Sequence, residues 1–231
     1  MKHFVDIADF NTKKLNLIIK TAKQIKKNPK KFANKCKDKT LGMIFQKEST
    51  RTRVSFNVGF KKLGGHSIEL NAESIGFGKR ENYHDIVRTL SQYIDMLMIR
   101  NDDHNIIRNL SSLNALPIIN GLSDFSHPCQ ILSDFLTINE KLGNIKSQSI
   151  CWIGDYNNVL RSLIELQSLY KFKLKVVLPK EILNKNKLKI LKKNKTNLMV
   201  TNSINEGIKH ANCVMTDTWV SMGEKSIKKK Y

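Results

Sequence analysis

The chain has 231 residues, enough for one large or two modest domains, and 40% of them are hydrophobic, an ordinary globular composition. Its net charge is +20, from 40 basic against 20 acidic side chains, and most of the basic ones are lysines set among asparagine and isoleucine. Such a surface draws anions. No interleaved aromatics, zinc spacing or RNP-like motif accompanies it, which argues against a nucleic-acid partner, and no stretch reaches membrane-spanning length or forms an apolar signal core at the N-terminus.

Taken in order, the chain predicts strands alternating with helices. Residues 11–27 form an amphipathic helix with Leu15, Ile18, Ala22 and Ile25 on one face, capped by Asn11 or Thr12 and followed by Pro29. An apolar strand follows at 41–45, then a helix over 54–63 closed by Gly64-Gly65. A strand at 66–70, a glycine-bearing loop at 71–82, a helix at 83–94 and a strand at 95–99 come next. A helix at 103–112, a strand at 116–119 and a loop over 120–127 lead to Pro128, which suits the first turn of a helix reaching about 142. The alternation restarts after a linker at 143–148: strand 149–153, helix 157–170, strand 173–178, a lysine-rich helix, strand 197–200, helix 205–210 and strand 213–216. This is an α/β pattern with mostly parallel sheets, and it divides near residue 145. None of the four cysteines, Cys36, Cys129, Cys151 and Cys213, has CxxC spacing, so reduced thiols in a cytoplasmic protein are expected.

The unusual polar residues fall just after strands, where open α/β sheets bind their ligands. Ser49-Thr50-Arg51-Thr52-Arg53 stands where a strand turns into a helix, so backbone N–H groups, the positive helix end and a guanidinium fork together suit a phosphate or carboxylate. An ordinary N-cap with surface arginines is the plainer alternative. Arg100 ends a later strand and offers a second fork. His127-Pro128-Cys129-Gln130 opens a helix, with His127 able to donate to a carbonyl oxygen and Gln130 able to accept from an NH₂ group. No second histidine or carboxylate stands at metal-ligand spacing with His127, so no metal is expected. In the second half, Gly154-Asp155-Tyr156-Asn157-Asn158 follows a strand but lacks G-x-G-x-x-G, which disfavours a dinucleotide. Asp217 suits an α-ammonium group and Asn158 a carboxylate or amine, although a strand-end Asp also commonly caps the next turn.

Together, Ser49-Thr50-Arg51-Thr52-Arg53, Asn120-Gly121-Leu122-Ser123-Asp124, His127-Pro128-Cys129-Gln130, Gly154-Asp155-Tyr156-Asn157-Asn158 and Asp217-Thr218-Trp219-Val220-Ser221-Met222-Gly223-Glu224 resemble the successive signatures of the ornithine carbamoyltransferase family, in order and along the whole chain. The first and third are shared with aspartate carbamoyltransferases; the last favours ornithine. The resemblance implies two Rossmann-like parallel-sheet domains of the aspartate/ornithine carbamoyltransferase type. Residues 1–144 would bind carbamoyl phosphate, and 145–231 would form an incomplete ornithine-binding domain. It implies a carbamoyl phosphate site of Ser49, Thr50, Arg51, Thr52, Arg100, His127 and Gln130. Thr52, Arg100 and His127 polarise the carbonyl, and Asn158, Asp217, Ser221 and Met222 place L-ornithine. The implied reaction gives L-citrulline and phosphate with no metal or organic cofactor. A homotrimer is implied, the 71–82 loop with Lys79 or Arg80 reaching a neighbouring site. The family continues past the point matched by Tyr231 with a His-Cys-Leu-Pro loop and a terminal helix, so a truncated chain with slow or no turnover and an exposed apolar patch on its second half is expected. The alternatives are a carbamoyltransferase for aspartate or a modified ornithine, and an inactive anion-binding fragment.

Overall fold

The computed structural model of the protein describes residues 3–78, 80–183 and 197–217. The chain forms two compact units, 1–129 and 130–231. The first is built on a four-stranded parallel sheet of order β2-β1-β3-β4, with β1 Thr40–Phe45, β2 His66–Asn71, β3 Met96–Arg100 and β4 Ile118–Leu122. Its helices are α1 Thr12–Lys27, α2 Thr50–Lys62, α3 Tyr83–Leu90 and α4 His104–Ser112; α5 Pro128–Lys141 starts at the boundary of the two units.

Alternation along the strands supplies a core on each face of this sheet. Leu41, Met43 and Phe45 of β1 join Met98 of β3 and Phe60 of α2 on one side. Ile44, Leu97, Ile99 and Ile118 point the other way and pack with Ile86 and Val87 of α3 and Ile107 and Leu110 of α4. Each fully buried aliphatic side chain here contributes about 1.5–3 kcal/mol. The N-terminal segment adds a short extra pairing outside β4: Phe4 N–H donates to Ile118 O at 2.8 Å, and Asn120 N–H donates to Phe4 O at 2.8 Å.

The second unit carries a parallel sheet of order β7-β6-β5-β8, with β5 Ser149–Ile153, β6 Lys173–Val177, β7 Leu198–Thr201 and β8 Cys213–Thr216. Helix α6, Asn158–Tyr170, buries Leu160, Leu163, Ile164 and Leu166, and α7 is the short Ile204–Ile208. Gly207 lets α7 lie against the sheet, because a Cβ there would stand 2.1 Å from Val177 Cγ2 and 3.1 Å from Cys151 Sγ. Val214, Met199 and Ile204 of this unit are exposed.

Several boundaries differ from those read off the sequence. Helix α2 begins at Thr50 rather than 54, so Thr50, Arg51, Thr52 and Arg53 form its first turn and Ser49 is its N-cap. On α1 the deeply buried side chains are Leu15 and Ile19, with Ile18 half-buried. Helix α3 ends at Leu90, four residues early, and tight turns carry the chain to β3. Strand β4 starts later and ends later than 116–119, placing Asn120, Gly121 and Leu122 inside the strand. The lysine-rich helix expected after 178 lies largely outside the described residues.

Candidate active site

In the first sheet β1 connects to β2 on one side, while β3 lies on its other side, so the chain reverses direction between β1 and β3. At such a switch point the connections diverge and leave a crevice at the carboxyl tips. Ser49 and Arg100, both singled out in the sequence, stand at or just beyond those tips. Gln46 to Ser49 follow β1, and Arg100 ends β3.

Arg100 is the centre of this crevice. Its side chain is buried, at 7% exposure, and one Nη donates to Ser49 Oγ at 2.9 Å and, more weakly, to Thr52 Oγ1 at 3.5 Å. Ser49 therefore spends its hydroxyl on Arg100 and makes no side-chain cap to α2. The first-turn N–H groups of α2 go without that cap and present partial positive charge at the strand tips. Burial lowers the Arg100 pKa, the neighbouring charge of Arg51 lowers it further, and Asp102 opposes both. A guanidinium so desolvated, with a second cation beside it, is a strong host for a multiply charged anion. Arg51 and Thr50 are exposed on the same turn.

Arg53 does not join them. It forms an ion pair with Glu69 at 2.9 Å and lies over the Phe45 ring at 5.4 Å, fastening α2 to the first two strands. In the 71–82 loop, Arg80 pairs with its neighbour Glu81 at 3.1 Å, and Lys79 lies outside the described residues.

Between β3 and β4 the register shifts, Ile99 facing Asn120 while Arg100 faces Leu122. Gly121 occupies the extra position, where a Cβ would meet Met98 Sδ at 2.4 Å and the Ile99 carbonyl at 3.3 Å. From there residues 123–126 lead to His127, which is half-buried and stands just before Pro128 at the start of α5. Cys129 Sγ donates to Asn120 O at 3.4 Å, and burial pushes its thiol up to about 12, so it is no nucleophile. Behind this connection is a polar cluster that the sequence reading missed. Asp6, His104, Arg108, Ser123 and Ser126 hydrogen-bond to one another through contacts spanning about a hundred residues of chain. The sequence offered only the helix over 103–112 that carries His104 and Arg108.

In the second unit, Gln130 Nε2 donates to Asp134 Oδ1 at 2.9 Å, which turns the amide oxygen of Gln130 away from that carboxylate. The pKa of Asp134 is raised by burial and by Asp217, against the lowering effect of Gln130. At the switch point of the second sheet, between β5 and β8, Asn157 caps α6 and its Nδ2 donates to Asp217 Oδ2 at 2.7 Å. The direct neighbour of Asp217 is thus Asn157, and Asn158 is the first residue of the helix. Ser221 and Met222 lie outside the described residues. Among the described residues no group of three or more His, Cys, Asp and Glu side chains is arranged to hold a metal, and no helix is long and apolar enough to cross a membrane.

Comparison with known proteins agrees with this geometry. Residues 2–140 match the family model described as aspartate/ornithine carbamoyltransferase, carbamoyl-P binding domain, and residues 146–231 match its Asp/Orn binding domain. An ornithine carbamoyltransferase of Rhodopseudomonas palustris is 39% identical over 228 residues, covering 97% of this chain and 74% of the relative. One of Brucella ovis is 38% identical over 227 residues, covering 97% and 73%. Among solved structures, the ornithine carbamoyltransferase of Pyrococcus furiosus superposes with a TM-score of 0.90 at 36% identity, over 99% of this chain and 75% of that one. The anabolic enzyme of Campylobacter jejuni gives 0.89 at 30% identity, over 99% and 76%. With the strand-tip arginine, the uncapped helix turn and both sheets accounted for, the chain belongs to the aspartate/ornithine carbamoyltransferase family.

Proposed function

We propose that the protein transfers the carbamoyl group of carbamoyl phosphate to the δ-amine of L-ornithine, giving L-citrulline and phosphate in arginine metabolism. The observation that carries this reading is Arg100 held against Ser49 and Thr52 at the tip of β3, beside an uncapped helix turn bearing Arg51. Ser49, Thr50, Arg51, Thr52 and Arg100 bind the phosphoryl oxygens, and His127 and Gln130 take the carbamoyl end. The neutral δ-amine attacks the carbonyl carbon and a C–N bond forms. The C–O bond to phosphorus breaks, phosphate leaves with the electron pair, and the amine loses a proton. Negative charge gathers on the carbonyl oxygen as this happens, and in this reading Thr52, Arg100 and His127 stabilise it as hydrogen-bond donors. Alignment supplies much of the remaining rate.

Asp217, with Asn158, Ser221 and Met222, places ornithine by its α-ammonium and carboxylate groups. Residues 1–144 form the carbamoyl phosphate domain in this reading and 145–231 the ornithine domain. A homotrimer belongs to this reading, and the exposed Val54 and Val58 of α2 and Ile68 of the edge strand β2 are apolar side chains available to a contact between copies. A cytoplasmic setting fits four cysteines that form no disulfide.

Calorimetric titration with carbamoyl phosphate, paired with product analysis on ornithine and on aspartate, tests the proposal. Saturable binding competed by inorganic phosphate, with citrulline and not carbamoyl aspartate as product, is expected. A chain that binds no carbamoyl phosphate overturns it.

A further inference from the structure

His104, the first residue of α4, grips three consecutive residues of the connection that ends at His127. Its backbone N–H donates to Asp124 Oδ1 at 3.2 Å, its Nδ1 lies 2.8 Å from Ser123 Oγ, and its ring lies 5.0 Å from that of Phe125. The far side of the imidazole is anchored as well. Nε2 stands 3.1 Å from Asp6 Oδ2, and Asp6 is itself buried and bonded to Arg108 and Ser126. Arg108 continues to both carboxylate oxygens of Asp9, at 2.9 and 3.0 Å. Within the connection, Ser126 N–H donates to Ser123 Oγ at 3.0 Å, and both serines are fully buried.

We propose that His104 is a positioning residue for His127, clamping the 123–126 connection to the N-terminal segment through Asp6 so that the His127 ring meets the carbamoyl oxygen in register. This rests on the carbamoyl-transfer reading given above. His104 Nε2 faces Asp6 Oδ2 at 3.1 Å and the Arg108 Nε–H at 3.4 Å; the shorter contact is to a carboxylate, which only accepts, and this assigns the proton to Nε2. Nδ1 then accepts from the Ser123 hydroxyl when the ring is neutral and donates to it when the ring is charged. The hydroxyl rotates to suit, since Ser126 O is its other acceptor at 3.2 Å. The clamp therefore holds in either state. A polarising donor must sit within about half an ångström of its productive place, and Asp124 and Phe125 are themselves exposed, so the buried serines and His104 provide that accuracy.

The full chain and its His104→Ala, His104→Asn and Ser123→Ala variants are titrated with inorganic phosphate and with carbamoyl phosphate, and the His127 ring is followed by ¹H–¹⁵N spectroscopy. The phosphate site does not use the clamp, so phosphate affinity stays within about twofold, whereas losing one hydrogen-bonded anchor lowers carbamoyl phosphate affinity roughly tenfold. His104→Asn, which keeps a polar atom near the Nδ1 position for Ser123 but cannot reach Asp6, recovers only part of that loss, and the His127 signals move in His104→Ala and Ser123→Ala. Unchanged affinities and unchanged His127 signals in the variants overturn the inference. Should His104→Ala fail to fold, His104→Asn and Ser123→Ala decide it. Absence of carbamoyl phosphate binding by the unaltered chain overturns the parent reading instead.

Discussion

Arg100 shows how much one side chain is asked to do. It is desolvated, shares a donor between two hydroxyls and faces a second cation. A lysine would bring one compact charge and no planar fork. Arg100→Lys should lower kcat/KM by about 10–100-fold, the value of one or two charge-assisted hydrogen bonds, while the melting temperature hardly moves; steady-state kinetics with thermal melts check this. Asp6 is a case for pH. Burial alone would raise its carboxyl, but hydrogen bonds from His104 and Ser126 and the charges of His104 and Arg108 outweigh it and hold the pKa below the ordinary value. A depressed carboxyl stabilises the fold above its unfolded value of about 3.9 and loses that contribution as pH falls through the folded value. Urea midpoints measured from pH 6 downward should fall for the unaltered protein below about pH 4, and the deficit of Asp6→Asn seen at pH 6 should close there. The grouping of Ser49, Thr52 and Arg100 was legible because hydroxyls and arginines after apolar strands are chemically conspicuous. Asp6 and His104 were not, because their meaning depends on a contact 98 positions apart that no local pattern encodes.

Elements repeat the lesson with a different cause. The strands were readable as apolar runs bounded by polar residues, and β5 and β8 fall where expected. The start of α2 was placed four residues late, since Thr50 and Thr52 are poor helix formers and the apolar run begins only at Val54; Ser49 and Thr52 are held by Arg100 from another strand, and the helix begins at Thr50. Strand β4 runs on to Leu122 because the bulge at Gly121 keeps it paired past the point where its apolar run ends. Close packing has its own demand at Gly42 in β1. A Cβ there would lie 2.5 Å from Ile94 Cδ1 and 3.1 Å from Leu97 Cδ1. Gly42→Ala should cost about 1–3 kcal/mol through overpacking, read as a lower urea midpoint with an unchanged slope.

At the scale of the molecule, the lysine surplus that dominates the composition does not mark the candidate site, whose cations are Arg100 at a strand tip and Arg51 on the first turn of α2. Its scatter over the helices is why composition alone pointed to anions without locating them. The two exposed valines of α2, Val54 and Val58, give the proposed assembly a test. Val58→Asp should shift the protein to a monomer in sedimentation velocity while leaving its circular dichroism unchanged; an unaltered chain that is already monomeric refutes the trimer. The pairing of Phe4 beside β4 has one more implication. The opening stretch of polypeptide is what delivers Asp6 to its place, so shaving it off, or dragging on it with a bulky affinity handle, would slacken chemistry more than a hundred positions downstream, and recombinant versions should carry their handle elsewhere.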